Sequence, residues 1–493
     1  MTDFKRDAYY MVKNAFQQSN VVFLLGPRKC GKTYALTQLH QNSPFSKMYN
    51  FKVIPKEQHF DIISKICNDI IEGKSTTYFL DETTYLDYAE NEIARIAESF
   101  TEAKANGKNP NVHITLTGSQ SIALASWGRS AFGGQARFIK MDFLTYTEWL
   151  KYKERTDVTE ESYLDFLHGV REFYNDFTTL EEYLNGCLDE IIKSNANARN
   201  YIYGNACDLV DVNSLKDMMY LTLFKLHDNT SSAAFFRSGG FSDKVAYIEK
   251  IISKNNPESV NIVRRRLAES FLNKYNNVKT KDIDTIKQCF SFLIRCDLIA
   301  ATPVFPDFNH NVNVLTNLET DGLYNKKENL FGHVNFTIVY PLFYIEILKE
   351  ILPDYDKNQL SHMVLGSIVE CQMRGLLPQD GSFEYHDTED REIDYINRNH
   401  RMAVEITISN KQTKDIHLDL IPEEEEYLKV LLSKDIFKMD GKNIVAPYYQ
   451  MIYKLSELSH QPDMQRPMVN ILNQLQNENT QTHTKTDITH DSP

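Results

Sequence analysis

The segment that most constrains the fold of this chain is residues 26–33, which read Gly-Pro-Arg-Lys-Cys-Gly-Lys-Thr. It satisfies the pattern G-x-x-x-x-G-K-[ST], it follows an apolar run at residues 21–25, and it precedes helical spacing at residues 35–39. Glycines in a turn between a buried strand and a helix let several backbone N–H groups point at a phosphate. The segment therefore predicts a phosphate-binding loop.

Each part of this loop has an expected role. Lys32 is predicted to reach the β- and γ-phosphates of a nucleotide, and the Thr33 hydroxyl is predicted to bind Mg²⁺. The other loop residues are expected to surround the phosphates, and they are Gly26, Pro27, Arg28, Lys29, Cys30 and Gly31. The predicted cofactors are ATP and Mg²⁺.

Extended and helical runs alternate on both sides of the loop. The further extended runs are 48–53, 76–80 and 113–117, and helical spacing separates them. This alternation predicts an α/β fold whose N-terminal part, residues 1–155, is a parallel P-loop NTPase sheet with helices on both faces. Residues 156–310 show helical spacing that ends in a short strand, which predicts a helical and winged-helix-like middle.

Polar residues stand where two of these strands end. Asp81 and Glu82 follow the run at 76–80, and Asp81 is predicted to hold Mg²⁺ through its water shell while Glu82 orients and deprotonates the attacking water. Ser119, or Thr117, follows the next strand and is expected beside the nucleotide, because the carboxyl ends of parallel strands share one edge. The alternative interpretation of residues 117–119 is a strand-end turn.

Two arginines are candidates for a charge that stabilises the transition state. Arg129 follows a glycine, and Arg137 ends the segment Gly-Gly-Gln-Ala-Arg at residues 133–137. Either could act from the same or from a neighbouring subunit, which makes a homo-oligomer compatible with the sequence. The alternative is that both are ordinary surface arginines.

Taken together, these motifs resemble the prokaryotic AAA-like ATPases of the GPRxxGKT type, which carry a C-terminal nuclease-like domain of unknown function. The matching segments are residues 26–28 with 31–33, 49–51, 80–82, 116–119, 134–137 and 144–149. The resemblance implies an ASCE-type ATPase followed by a winged-helix-like segment. It carries Arg137 over as the arginine of the family's Gly-Arg element, although Gln135 and Ala136 intervene in this sequence.

The region 330–455 carries a second set of carboxylates. Asp394 and Glu405 lie on two strand-like runs, and Glu370 lies on a preceding helix, an arrangement similar to the metal ligands of the PD-(D/E)xK nuclease pattern. This similarity predicts a restriction-endonuclease-like α/β domain. The pattern ends in lysine, but Thr407 stands at that position and Lys411 is the candidate substitute. Solvated strand-edge acids without a metal are the alternative.

Charge and hydropathy narrow the classes of partner. Lys and Arg total 54 against 67 Asp and Glu, so a surface that is basic throughout is excluded. The three consecutive arginines at residues 264–266 are either a local contact to phosphate or a solvated face. No window approaches the roughly 20 apolar residues that cross a bilayer, so no membrane partner is expected. A cytoplasmic protein with reduced cysteines and a polar, disordered tail at residues 460–493 is predicted.

The sequence therefore predicts a Mg²⁺-dependent P-loop protein of the AAA-like class that binds and hydrolyses ATP and couples it to nucleic-acid or protein binding. Two alternatives remain at this level. One is a metal-dependent nuclease gated by the ATPase, and the other is a non-hydrolysing nucleotide-dependent switch or scaffold.

Overall fold

The computed structural model describes most of the N-terminal half of the chain and parts of the rest. The described residues are 4–174, 179–193, 210–223, 269–270, 273, 283–305, 334–351, 362–377, 382–386, 392–407, 418, 421, 427–440 and 443–458. The stretch 224–268 of the predicted winged-helix-like region, with its basic cluster at 264–266, lies outside them, as do Lys411 and the tail at 460–493.

Contacts divide the chain into two compact units. The first unit comprises Met1–Glu148, Phe177–Lys216 and Ile283–Leu298, and the second comprises Trp149–Asp176, Asp217–Asp282 and Ile299–Pro493. In chain order the helices are α1 Asp7–Ala15, α2 Lys32–Gln41, α3 His59–Glu72, α4 Ala89–Ala105, α5 Ser121–Phe132, α6 Tyr146–Tyr152, α7 Glu160–Gly169, α8 Leu180–Lys193, α9 Val212–Leu223, α10 Ile283–Arg295, α11 Pro341–Ile351, α12 His362–Leu376 and α13 Tyr448–Leu458.

A five-stranded sheet forms the centre of the first unit. Its strands are β1 Val21–Leu25, β2 Ser46–Asn50, β3 Ser75–Asp81, β4 Asn111–Thr117 and β5 Ala136–Lys140, and their order is β2-β3-β4-β1-β5. Every neighbouring pair is parallel, so all the carboxyl ends lie at one edge. This confirms the predicted P-loop NTPase sheet, and it puts the ends of β1, β3 and β4 side by side.

The core of this unit forms where apolar helix faces cover the strands. On α3 the residues Ile63, Ile66 and Ile70 recur at helical spacing and are fully buried in the same cluster as Phe23 and Ile114 of the sheet. Burying one such side chain stabilises the fold by roughly 1.5–3 kcal/mol. The apolar spacing that predicted the helices therefore also holds them on the sheet.

The second unit contains a mixed eight-stranded sheet of order β12-β13-β11-β10-β9-β8-β6-β7. Its strands are β6 Ile299–Phe305, β7 Val334–Ile338, β8 Ser382–His386, β9 Glu392–Asn397, β10 Met402–Ile406, β11 Leu428–Ser433, β12 Lys438–Asp440 and β13 Asn443–Pro447. Strands β9 and β10 pair antiparallel, and Met402 lies opposite Asn397 across the turn at residues 398–401. The mixed sheet with its helices agrees with the predicted α/β class, whereas the restriction-endonuclease-like assignment stays a prediction.

Candidate nucleotide-binding site

The predicted phosphate-binding loop connects β1 to α2, and its backbone requires glycine at two positions. Gly26 has φ +148° and Gly31 has φ +106°, which L-residues with side chains rarely adopt. A Cβ atom on Gly26 would lie 2.0 Å from the carbonyl oxygen of Met141. Any larger residue at position 26 would therefore displace the start of the loop.

Lys32 places a buried positive charge inside the loop. Its side chain is 7% exposed, and Nζ donates hydrogen bonds to the carbonyl oxygens of Gly26 at 2.8 Å and Pro27 at 2.7 Å. The backbone thus holds the ammonium group at the N-terminus of α2, where the helix dipole also favours an anion.

Ser121, at the start of α5, fixes the first residue of the loop. Its Oγ accepts a hydrogen bond from the Gly26 amide at 2.7 Å and donates one to the Gly26 carbonyl at 2.8 Å. Sequence reasoning missed Ser121. The available signal was a polar residue at a helix start, two residues after the strand-end segment 117–119.

A buried ion pair supports the far side of the loop. Arg6 Nε lies 2.7 Å from Glu148 Oε1, and both side chains are buried. Arg6 also donates hydrogen bonds to the carbonyl oxygens of Cys30 at 3.0 Å and Asp142 at 2.8 Å. Glu148 Oε2 accepts from the Thr145 amide at 3.1 Å. The segment 144–149, which carried part of the family resemblance, is therefore a support for the loop.

Removing either member of this pair is expected to destabilise the first unit strongly. Arg6→Met or Glu148→Gln leaves a partner charge buried, which typically costs about 3–5 kcal/mol. Urea unfolding monitored by tryptophan fluorescence should show the lower free energy of unfolding. The exposed pair Lys56–Asp87 provides a control, because Lys56→Met should lower that free energy by less than about 1 kcal/mol. Equal midpoints for Arg6→Met and Lys56→Met would contradict the structural role.

Two side chains with oxygen atoms that can bind a metal, Asp81 at the end of β3 and Thr33 at the start of α2, lie in contact. Asp81 is 1% exposed, and its Oδ2 accepts hydrogen bonds from the Thr33 hydroxyl at 2.9 Å and from the Asn50 amide at 2.8 Å. Burial raises the pKa of Asp81, while the Thr33 hydrogen bond and the charge of Lys32 oppose that shift. The predicted neighbours Thr33 and Asp81 are thus in contact, and Asn50 is a further contributor that sequence reasoning did not assign.

This donor set fits Mg²⁺. A hydroxyl and a carboxylate oxygen are hard ligands, and Mg²⁺ in nucleotide sites takes one or two protein oxygens, several waters and the phosphates of the substrate. Among the residues that the structure describes, no group of three or more His, Cys, Asp and Glu could hold a metal by itself. A metal at Thr33 and Asp81 would therefore depend on the nucleotide for its remaining ligands.

Glu82 and Ser119 also meet at this edge. Ser119 Oγ lies 2.9 Å and 2.8 Å from the two Glu82 carboxylate oxygens, and the Ser119 amide donates to Oε2 at 3.2 Å. Burial raises the pKa of Glu82, and the negative charge of Glu190 raises it further against the opposing charge of Lys32. A carboxylate with a raised pKa is a better proton acceptor, so the environment suits a general base.

The two candidate arginines lie elsewhere on the first unit. Arg137 pairs with Val22 near the amino end of β1, whereas Lys140 pairs with Leu25 at the end where the loop begins. The guanidinium of Arg129 lies over the Phe138 ring, 5.6 Å from its centroid. The structure therefore does not bring Arg137 to the loop of its own chain, because the register of β5 sets it at the opposite end of the sheet.

Two of the predicted nuclease carboxylates, Glu370 and Asp394, accept hydrogen bonds from residues of the second unit. Glu370 Oε1 accepts hydrogen bonds from Arg374 at 3.1 Å and 2.8 Å, and Arg374 also pairs with Glu384. Asp394 Oδ2 accepts from the Ile406 amide at 2.7 Å. Arg374 thus supplies the positive charge beside Glu370.

The β9–β10 register brings two of the three predicted nuclease ligands close together. Asp394 and Glu405 each lie one residue beyond the Tyr395–Val404 pair, on adjacent strands. Thr407, at the position of the pattern's lysine, donates its amide to the Leu432 carbonyl at 3.1 Å. A metal at Glu370, Asp394 and Glu405 stays a prediction.

A family model matches the part of the chain that contains the loop. Residues 18–150 match the family model of an AAA domain. No curated protein matches the sequence. In the described parts of the chain, no helix has the length and apolar character needed to span a membrane.

Several solved structures of nucleotide-binding proteins are similar at low identity. A Walker-type ATPase of Pyrococcus abyssi is 13% identical, with 71% of this chain and 96% of that chain covered and a TM-score of 0.31. The ORC2 protein of Aeropyrum pernix in its ADP form is 14% identical, with 72% and 94% covered and a TM-score of 0.27. AMPPCP-bound DnaA from Aquifex aeolicus is 12% identical, with 59% and 93% covered and a TM-score of 0.24. Residues 18–150 are therefore similar to AAA domains, and the parallel sheet with its loop between β1 and α2 agrees with the P-loop NTPase fold.

Proposed function

We propose that this protein binds ATP with Mg²⁺ at residues 26–33 and hydrolyses it with Glu82 as the general base. One observation carries the proposal. At a single edge of the parallel sheet, the buried ammonium of Lys32, the Thr33–Asp81 pair and the Glu82–Ser119 pair lie next to one another. Phosphoryl transfer needs a cation on the phosphates, oxygen ligands for a metal and a base for water, and these three elements supply them.

Each residue then has a defined task. Lys32, released from the Gly26 and Pro27 carbonyls, neutralises the terminal phosphates, and the loop amides hold their oxygens. Thr33 and Asp81 would hold Mg²⁺, which offsets the charge on the phosphate oxygens when it is bound. Glu82 orients the attacking water and accepts its proton, and Ser119 holds the Glu82 carboxylate in place.

ATP hydrolysis would be coupled to the binding of a partner, and the site would be completed in a homo-oligomer. Nucleic acid and a protein partner are both candidate stimulators of hydrolysis. Arg137, which lies away from its own loop, would act as a transition-state cation only from a neighbouring subunit, so Arg137 as an arginine finger would require a homo-oligomer. Cleavage of DNA or RNA at the C-terminal carboxylates is a separate prediction, and loss of any such cleavage in Asp394→Ala would support it.

The direct test is phosphate release by the purified protein. Incubation with ATP and Mg²⁺ is expected to release inorganic phosphate in a malachite-green assay, and parallel reactions with DNA and with RNA would show which polymer, if either, stimulates the rate. Removal of Mg²⁺ with EDTA should abolish the release. Nucleotide binding with no phosphate release under any condition would favour the non-hydrolysing switch, and absence of nucleotide binding would refute the proposal.

A further inference from the structure

One face of α8 packs against the middle of the phosphate-binding loop. Tyr183, Gly186, Cys187 and Glu190 recur at the i, i+3, i+4, i+7 spacing of a single helical face. Tyr183 donates its hydroxyl to the carbonyl of Arg28 at 3.2 Å. A Cβ on Gly186 would lie 1.6 Å from an Arg28 guanidinium nitrogen, so the glycine permits the close approach. A helix outside the matched AAA segment thus contacts the loop directly.

Glu190 ends this face as a buried carboxylate between two cations. It is 6% exposed, and its Oε1 lies 3.0 Å from Arg28 Nε and 2.6 Å from Lys52 Nζ. Burial opposes ionisation of Glu190, but a hydrogen bond from Lys52, the charge of Arg28 and a hydrogen bond from Ser119 together lower its pKa. Lys52 lies two residues after Asn50, the last residue of β2, whose side-chain amide donates to Asp81. Arg28 lies in the loop itself, so both cations are at the edge of the sheet where the phosphates are expected.

The surroundings of Glu190 resemble those of a bound phosphate oxygen, with one unfavourable neighbour. Arg and Lys are the side chains that hold phosphate oxygens by charge-assisted hydrogen bonds. Glu190 also lies close enough to Glu82 for its negative charge to raise the Glu82 pKa. Ser119, which bonds Glu82, also bonds Glu190, so a terminal phosphate placed beside Glu82 would compete with the Glu190 carboxylate for the same donors.

We propose that Glu190 is an internal competitor for the γ-phosphate of the nucleotide. In the structure Glu190 holds Arg28 and Lys52, and the terminal phosphate of ATP, which offers three acceptor oxygens, takes over both cations and releases the Glu190 face of α8. ADP lacks that phosphate and leaves α8 in place. Arg28, Lys52 and Glu190 are then the residues that distinguish the triphosphate from the diphosphate, and α8 reports which one is bound. This inference rests on the proposed nucleotide site.

The first test compares affinities of a triphosphate and a diphosphate. Binding of AMPPNP and of ADP, each with Mg²⁺, is measured calorimetrically for wild type, Glu190→Gln and Glu182→Gln. Glu190→Gln is expected to bind AMPPNP on the order of 10-fold tighter than wild type, a typical coupling between competing groups, with little change for ADP. Glu182 lies exposed on the same helix and provides the matched control, for which both affinities should stay unchanged.

A second variant keeps the test informative if Glu190→Gln folds poorly. Lys52 is about two-fifths exposed, with a relative side-chain accessibility of 41%, so Lys52→Met should fold. It is expected to weaken AMPPNP binding several-fold more than ADP binding. Equal effects on the two nucleotides, or weaker AMPPNP binding by a folded Glu190→Gln, would overturn the competition.

Hydrogen exchange of the α8 backbone amides tests the release of the helix directly. In wild type, amides of residues 180–193 should exchange faster with Mg²⁺–AMPPNP than with Mg²⁺–ADP, because only the triphosphate releases the helix. Unchanged or slower exchange in AMPPNP would refute the release. If wild type binds neither nucleotide, the proposed function itself fails. If wild type binds both and Glu190→Gln binds them identically to wild type, only the role of Glu190 fails.

Discussion

Lys32→Ala is expected to abolish measurable binding of ATP. The side chain is the one buried ammonium that the loop backbone surrounds in the described structure, and it bonds the carbonyls of Gly26 and Pro27. A hydrogen bond to a charged group contributes roughly 1.5–3 kcal/mol, so loss of two contacts to phosphate oxygens should weaken binding by a factor on the order of 100 or more.

Calorimetric titration of ATP into the variant would measure this loss. Lys56→Ala is the matched control, since Lys56 is an exposed lysine of the same unit that pairs with Asp87 away from the loop. Wild-type affinity in Lys56→Ala together with no detectable binding in Lys32→Ala would support the assignment. An unchanged dissociation constant in a folded Lys32→Ala protein would remove Lys32 from the site.

Glu82→Gln is expected to retain ATP binding and to lose turnover. The amide keeps the size of the side chain and can still bond Ser119, but it cannot accept a proton from water. General-base catalysis typically contributes a factor of about 100 to 10,000, so phosphate release should fall by that order. The variant should therefore hold bound ATP without converting it to ADP.

Single-turnover phosphate release and calorimetric binding, measured on the same preparation, separate these two effects. Glu90→Gln is the control, because Glu90 is an exposed glutamate on α4 of the same unit. Equal hydrolysis rates in wild type and Glu82→Gln would exclude Glu82 as the base. Loss of binding in Glu82→Gln would assign the residue to the binding site instead of the chemical step.

The features that could be predicted from the sequence are those in which neighbours along the chain decide the outcome. The run Val21–Leu25, the two glycines of the loop and the helical spacing after Thr33 together specify a strand, a turn and a helix, because burial and backbone freedom act over a few residues. The carboxylates Asp81 and Glu82 lie at the sheet edge for the same reason, since the apolar strand before them is buried.

Partners that are distant in the chain could not be predicted in this way. Arg6 meets Glu148, and Ser121 meets Gly26, only because helices and strands fold back onto the loop. The same holds for Arg374, whose guanidinium lies between Glu370 and Glu384. A sequence pattern identifies carboxylates but does not show which cation lies beside them.

The sequence by itself determined that this chain has a phosphate-binding loop on a parallel sheet, with two carboxylates at the end of β3, because local patterning specifies each of these elements. The tertiary structure decided which side chains surround them. The register of β5 sets Arg137 at the amino end of the sheet, and the packing of α8 sets Glu190 between Arg28 and Lys52. These positions depend on strand pairing and helix docking, whose energies are summed over contacts between residues far apart in the chain.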